Sequence, residues 1–101
     1  MVFIKYNDVM NKKIKLAPYT LKRYEPKLGM YFFCNVKSAD LWKTDSATGA
    51  VIASLDGSLT VKEIVDIIAA NSPQIPKIQI KEHFNSTFDF LLKEGFLCEV
   101  D

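Results

Sequence analysis

Apolar and polar positions alternate with a period of two from Tyr19 to Glu25 (YTLKRYE), the signature of a half-buried strand. Tyr19, Leu21, Arg23 and Glu25 fall on one face; Thr20, Lys22 and Tyr24 fall on the other. The PKLG of residues 26–29 supplies a turn. Residues 30–36 (MYFFCNV) are apolar and aromatic on both faces, which predicts a central strand buried on both sides. KSAD makes the next turn, and residues 41–44 (LWKT) predict a short third strand. Three short strands joined by two turns predict an antiparallel meander.

After Asp45 the period lengthens. Asp45 or Ser46 can cap a helix running to Ser54 or Leu55, with Ala47, Ala50, Val51 and Leu55 at helical spacing. Gly49 inside it costs about 1 kcal/mol against Ala, which makes sense where another backbone packs closely. Asp56-Gly57 predicts a chain break. Thr60 and Glu63 then form a capping box, with Leu59 and Ile64 placed for a hydrophobic staple. Val61, Ile64, Val65 and Ile68 trace one helix face, and Asn71, Ser72 and Pro73 end it. Residues 73–78 (PQIPKI) predict a linker with two prolines. A third helix is expected over residues 79–94, closed by Gly95 with Phe96 or Leu97 folding back, before the strand-like tail FLCEV. The order predicts an α+β fold, winged helix-turn-helix-like: a three-stranded antiparallel sheet followed by three helices. Residues 1–15 mix apolar positions with lysines at ambiguous spacing. They predict an N-terminal extension, which is a docked strand or helix, a dimer arm or a tail, ahead of one domain over residues 16–101.

Composition narrows the function. The 101 residues carry 13 basic and 12 acidic side chains, a balance that argues against broad binding to nucleic acid. The N-terminus lacks the pattern of an export signal, and no window approaches the about 20 apolar residues that span a bilayer, so the expected location is the cytoplasm with no membrane partner. Cys34 and Cys98, each in an apolar setting, are expected as reduced thiols. His83 is the only histidine and the glycines are isolated, so no cluster supplies an activated nucleophile, a paired acid and base, a metal site or a phosphate loop. The chain is therefore expected to be neither an enzyme nor a cofactor or metal carrier.

The order of motifs points to a binding domain. LDGSLTVKEIVDII, followed by FNSTFDFLLKEGFL, resembles the PqqD-like family, the stand-alone recognition elements for precursors of ribosomally synthesised, modified peptides. Leu55-Asp56-Gly57, the Thr60–Ile64 helix start and Phe90–Leu97 stand where the family has its Leu-Asp-Gly turn, Thr-Val-x-Glu-Ile start and FLxxLxxxGLL helix end. LKRYEPKLGMYFF resembles a segment of members that serve radical S-adenosylmethionine maturases. The resemblance covers about residues 19–98. It implies that the chain binds a leader peptide as a strand added to the third strand, opposite the last helix, and presents it to a separate radical S-adenosylmethionine enzyme. The implied peptide-binding residues are Ala39, Asp40, Leu41, Trp42, Lys43 and Thr44 on the strand side. On the helix side they are Lys77, Lys81, His83, Phe84, Thr87, Phe88 and Leu91. Lys77, Lys81 and Lys93 would favour an acidic leader. Two other readings stand beside it. One is a winged-helix DNA-binding module, disfavoured by the apolar third helix and by Arg23 being the only arginine. The other is a plain dimerisation module, with a homodimer formed through residues 1–15 or the strand edge.

Overall fold

The computed structural model describes residues 10–100, which form two three-stranded antiparallel sheets and three helices, an α+β fold. The predicted meander is present: β2 (Thr20–Glu25), β3 (Met30–Asn35) and β4 (Asp40–Asp45) pair in sequence order. Gly29 turns the first hairpin at φ 63°. Ala39 turns the second at φ 62°, a left-handed position that costs an L-residue about 1 kcal/mol or more. Asn35 compensates, its buried Oδ1 accepting from the amides of Lys37 (3.0 Å) and Ser38 (3.3 Å).

The pleat places Thr20, Lys22, Tyr24, Tyr31, Phe33, Trp42 and Thr44 on the helix-facing side, where Phe33 is fully buried. The opposite side carries Leu21, Phe32, Cys34 and Leu41, with Leu21 62% and Leu41 66% exposed. The expectation that β3 is buried on both faces is thus corrected. The single helical layer covers one side, so Phe32 and Cys34 stay half-buried.

Helix α1 (Ser46–Ala53) begins where Asp45 caps it, accepting from Thr48 N at 2.7 Å. A Cβ on Gly49 would overlap the Cβ and ring of Tyr31. The close approach foreseen at this glycine is therefore to a strand side chain rather than to another backbone. Lys22 Nζ donates to Ala53 O at 2.8 Å and satisfies a carbonyl at the helix C-terminus.

A second sheet was not foreseen as part of the architecture. β1 (Lys13–Leu16) is its centre, flanked by β5 (Asp56–Thr60) and β6 (Leu97–Glu99). The expected Asp56-Gly57 break is the start of β5, and Gly57 takes φ 83° within it. β1 is integral to the fold, because Ile14 is fully buried in the core. Of the proposed extension, residues 1–9 lie outside the described residues.

Helix α2 (Val61–Ala70) carries the expected capping box in full: Thr60 Oγ1 accepts from Glu63 N at 3.1 Å, and Glu63 Oε1 accepts from Thr60 N at 2.8 Å. Helix α3 (Lys77–Lys93) starts two residues earlier than its pattern suggested, directly after Pro76. It ends as expected: Gly95 has φ 82°, Gly95 N bonds Leu92 O at 3.3 Å, and Phe96 N bonds Leu91 O at 2.9 Å. Ile80, Phe84, Phe88 and Leu91 form its buried stripe. Cys34 and Cys98 are unbonded to one another.

Candidate peptide-binding groove

β4 is an edge strand. β3 pairs with one side, and among the described residues no strand pairs with the other, which leaves main-chain N–H and C=O groups open. Along β4, Trp42 and Thr44 are half-buried toward the helices, while Asp40, Leu41 and Lys43 are exposed. The Trp42 ring lies 5.6 Å from that of Phe33, and Phe33 lies 6.0 Å from Tyr31, so the inner side of this edge rests on aromatic rings.

Helix α3 lies opposite and runs antiparallel to β4, as two side-chain contacts establish. At one end, Asn35, the partner of Asp40 in the hairpin, donates from Nδ2 to Glu94 O at 3.2 Å. At the other, Thr48 Oγ1 in the first turn of α1 is hydrogen-bonded to His83 Nε2 at 3.2 Å, with donor and acceptor set by the imidazole tautomer. The two contacts tie α3 to the elements on either side of β4, β3 at one end and α1 at the other.

The buried stripe of α3 divides its remaining surface into two flanks. Residues three and four apart share a flank, so His83, Thr87 and Phe90 stand together on the side that reaches Thr48. Thr87 Oγ1 donates to His83 O at 2.8 Å. Phe90 is 46% exposed. It is absent from the expected site, and its offset from the buried stripe is the signal that could have found it.

The other flank faces α2. Lys77 Nζ bonds Asp66 Oδ1 at 2.7 Å, and Lys81 shares a small cleft with Lys62, Asp66 and Met10. The structure thus does not bring Lys77 and Lys81 together with Leu41–Thr44. Lys93 is paired with Asp89 at 3.1 Å. Hydrogen bonds from Lys77 and then Lys62 hold the Asp66 carboxyl below the usual carboxylate range. Phe84, Phe88 and Leu91 are buried, so they support the groove floor from beneath. Ala39 sits exposed in the hairpin turn at one end. His83, Thr87 and Phe90 share the flank of α3 that reaches Thr48, just past the end of β4.

Among the described residues no group of three or more His, Cys, Asp or Glu side chains is placed to hold a metal ion, and no helix is long and apolar enough to cross a membrane. The arrangement can accept an extended chain: open backbone partners along β4, the Trp42 and Phe33 rings on its inner side, and His83, Thr87 and Phe90 on the α3 flank that reaches Thr48.

No protein-family description matches the sequence, and no curated protein matches it. The fold does have a solved counterpart. It is similar to TbiB1, solved in complex with the TbiA(beta) leader peptide, with a TM-score of 0.68 over 82% of this chain and 93% of that one, at 13% identity. The likeness establishes a shared fold.

Proposed function

We propose that the chain is a recognition element that binds the leader region of a ribosomally synthesised precursor peptide as a fourth strand on β4, against α3. The observation that carries this reading is the open edge of β4 in a sheet that Asn35–Glu94 and Thr48–His83 tie to α3. The shared fold with TbiB1, itself solved with a leader peptide, supports it.

An added strand satisfies the free edge groups, and its alternate side chains enter the groove beside Trp42, Thr87 and Phe90. Apolar burial contributes about 25 cal/mol per Å2 before ordering costs. Dissociation constants in the nanomolar to micromolar range, roughly −8 to −12 kcal/mol, suit such a groove. The bound leader is presented to a separate enzyme. The resemblance of residues 21–33 to partners of radical S-adenosylmethionine maturases supports that class of enzyme, and the winged helix-turn-helix-like arrangement belongs to the same reading. On this reading the domain has no catalytic step of its own and acts in the cytoplasm.

The test is calorimetric titration with the leader half and, separately, the core half of a short precursor encoded beside the gene. Micromolar or tighter binding of the leader half alone supports the proposal. Binding confined to the core half, or modification of the precursor by the purified chain by itself, contradicts it.

A further inference from the structure

The outer side of the meander carries an ordered pattern that a groove between β4 and α3 leaves unused. The register of β2, β3 and β4 sets its side chains in three rows: Leu21, Cys34 and Leu41, then Arg23, Phe32 and Lys43, then Glu25, Met30 and Asp45. The central column on β3 is uncharged throughout, while each flanking strand runs from apolar to basic to acidic. Past the third row, Leu28 stands in the β2–β3 turn and is 64% exposed, much like Leu21 and Leu41. A shallow hollow of about 560 Å3 connects Leu28 to the first row, bordered by Arg23 and Glu25 and reached also by Lys22 and Phe32. Among the described residues no helix or strand packs over this side.

We propose that this face binds a second copy of the chain, forming a weak homodimer in which two meanders stack face to face. The two-fold axis crosses the strands between the second and third rows. The inference is independent of the leader reading, because the open edge of β4 stays outside the stacked faces. Three observations select a second copy as the occupant. The first is charge. The axis reverses strand direction and keeps β2 over β2, so Arg23 of each copy meets Glu25 of the other. Lys43 and Asp45 repeat this order on β4, although Asp45 Oδ1 also accepts from Thr48 N, which makes theirs the lesser pair. The second is shape. The same rotation lays Leu28 of each copy over the first row of the other, at the hollow between Leu21 and Leu41. The uncharged columns of β3 then face each other at the usual sheet spacing of about 10 Å. The third is area. Strands about 4.8 Å apart, with about 3.3 Å per residue, give a face of roughly 14 by 20 Å, less than the about 800 Å2 per partner of a stable complex. An exposed apolar face of that size suits a dimer that forms and parts readily, with a dissociation constant of about 10 μM to 1 mM.

The test is sedimentation equilibrium of the whole chain up to about 1 mM, with an amide NMR dilution series to locate the contact. The wild type is expected to dimerise, with concentration-dependent shifts in residues 21–34 and 41–43. Arg23→Glu sets acidic against acidic and Glu25→Arg sets basic against basic, so each alone is expected to weaken the dimer about tenfold or more. Mixed in equal amounts, the two variants regain complementary charges and are expected to form a heterodimer about as tight as the wild-type dimer. Leu28→Ser, at an exposed turn position, is expected to weaken dimerisation while leaving the amide spectrum of the dilute monomer folded. A chain that stays monomeric throughout the concentration range overturns the proposal and leaves the face to some other partner. A dimer whose shifts fall on residues 13–16 and 56–60, or one whose charge variants stay apart when mixed, overturns it as well.

Discussion

The side-chain amide of Asn35 bridges two elements that lie 59 residues apart in sequence, donating from Nδ2 to the carbonyl of Glu94 at 3.2 Å while its Oδ1 holds the β3–β4 turn. One buried residue thereby fixes both the left-handed turn at Ala39 and the C-terminal end of α3. Asn35→Leu leaves the turn amides and a helix-end carbonyl without their partner and is expected to cost about 2–3 kcal/mol. Asn35→Asp keeps the turn acceptors but sets a carboxylate against Glu94 O. Its cost is expected to be smaller at about pH 4 than at pH 7, because a protonated carboxyl regains a donor. Urea denaturation of both variants at the two pH values checks this; equal costs at both would show that the Glu94 contact carries no weight.

Gly49→Ala should destabilise the chain although it improves helix propensity. The gain is about 1 kcal/mol in a helix interior. The new methyl group meets the Cβ and ring base of Tyr31, atoms that move only with β3, and overpacking of this kind costs about 1–3 kcal/mol. A lower melting temperature is the expected outcome, and a higher one would show that α1 has room to shift.

The capping box sets part of the acid sensitivity. Glu63 has its carboxyl lowered from 4.5, chiefly by the Thr60 amide and then by the Thr60 hydroxyl. A depressed carboxylate contributes stability that is fully present above its unfolded pKa and is lost as pH falls through the folded value. Asp56 and Asp66, lowered from 3.8, act in the same direction. Glu63→Gln keeps an acceptor for the Thr60 amide and removes the titration. Its melting temperature is expected to fall less than that of the wild type between about pH 5 and pH 3. Parallel declines would exclude Glu63 as a contributor.

What was legible in the sequence was local. The box at Thr60 and Glu63, the cap at Asp45 or Ser46 and the stop at Gly95 each depend on residues within one helical turn, and all three form, with Asp45 taking the cap. The second sheet was not legible, because β1, β5 and β6 have 4, 5 and 3 residues and no periodicity to detect at that length. Their pairing joins residues as distant as Ile14 and Glu99. The strand wall of the groove, residues 39–44, came from the family resemblance, and the meander places that strand at a sheet edge. The helix wall was read only in part. Spacing identifies the stripe of Ile80, Phe84, Phe88 and Leu91, but tertiary packing decides which flank turns to β4. That packing sends Lys77 to Asp66 and His83 to Thr48.

The capped helix α2 supports the groove without forming it, since Val61, Ile64 and Val65 are buried in the common core. Thr60→Ala should therefore lower stability by about 1 kcal/mol while the folded fraction binds peptide with unchanged affinity. Affinity lost at full folding would place Thr60 in the binding surface.

The central claim is that β4 accepts a strand. It is tested most directly by a backbone-amide NMR titration of the whole chain with the leader of a precursor encoded beside the gene, followed by hydrogen exchange of the complex. Shifts concentrated in residues 40–45 and 79–94, with new protection of alternate amides along β4, are the predicted result. Tight binding that shifts only residues 13–16 and 56–70 and leaves the β4 amides exchanging as before would contradict it.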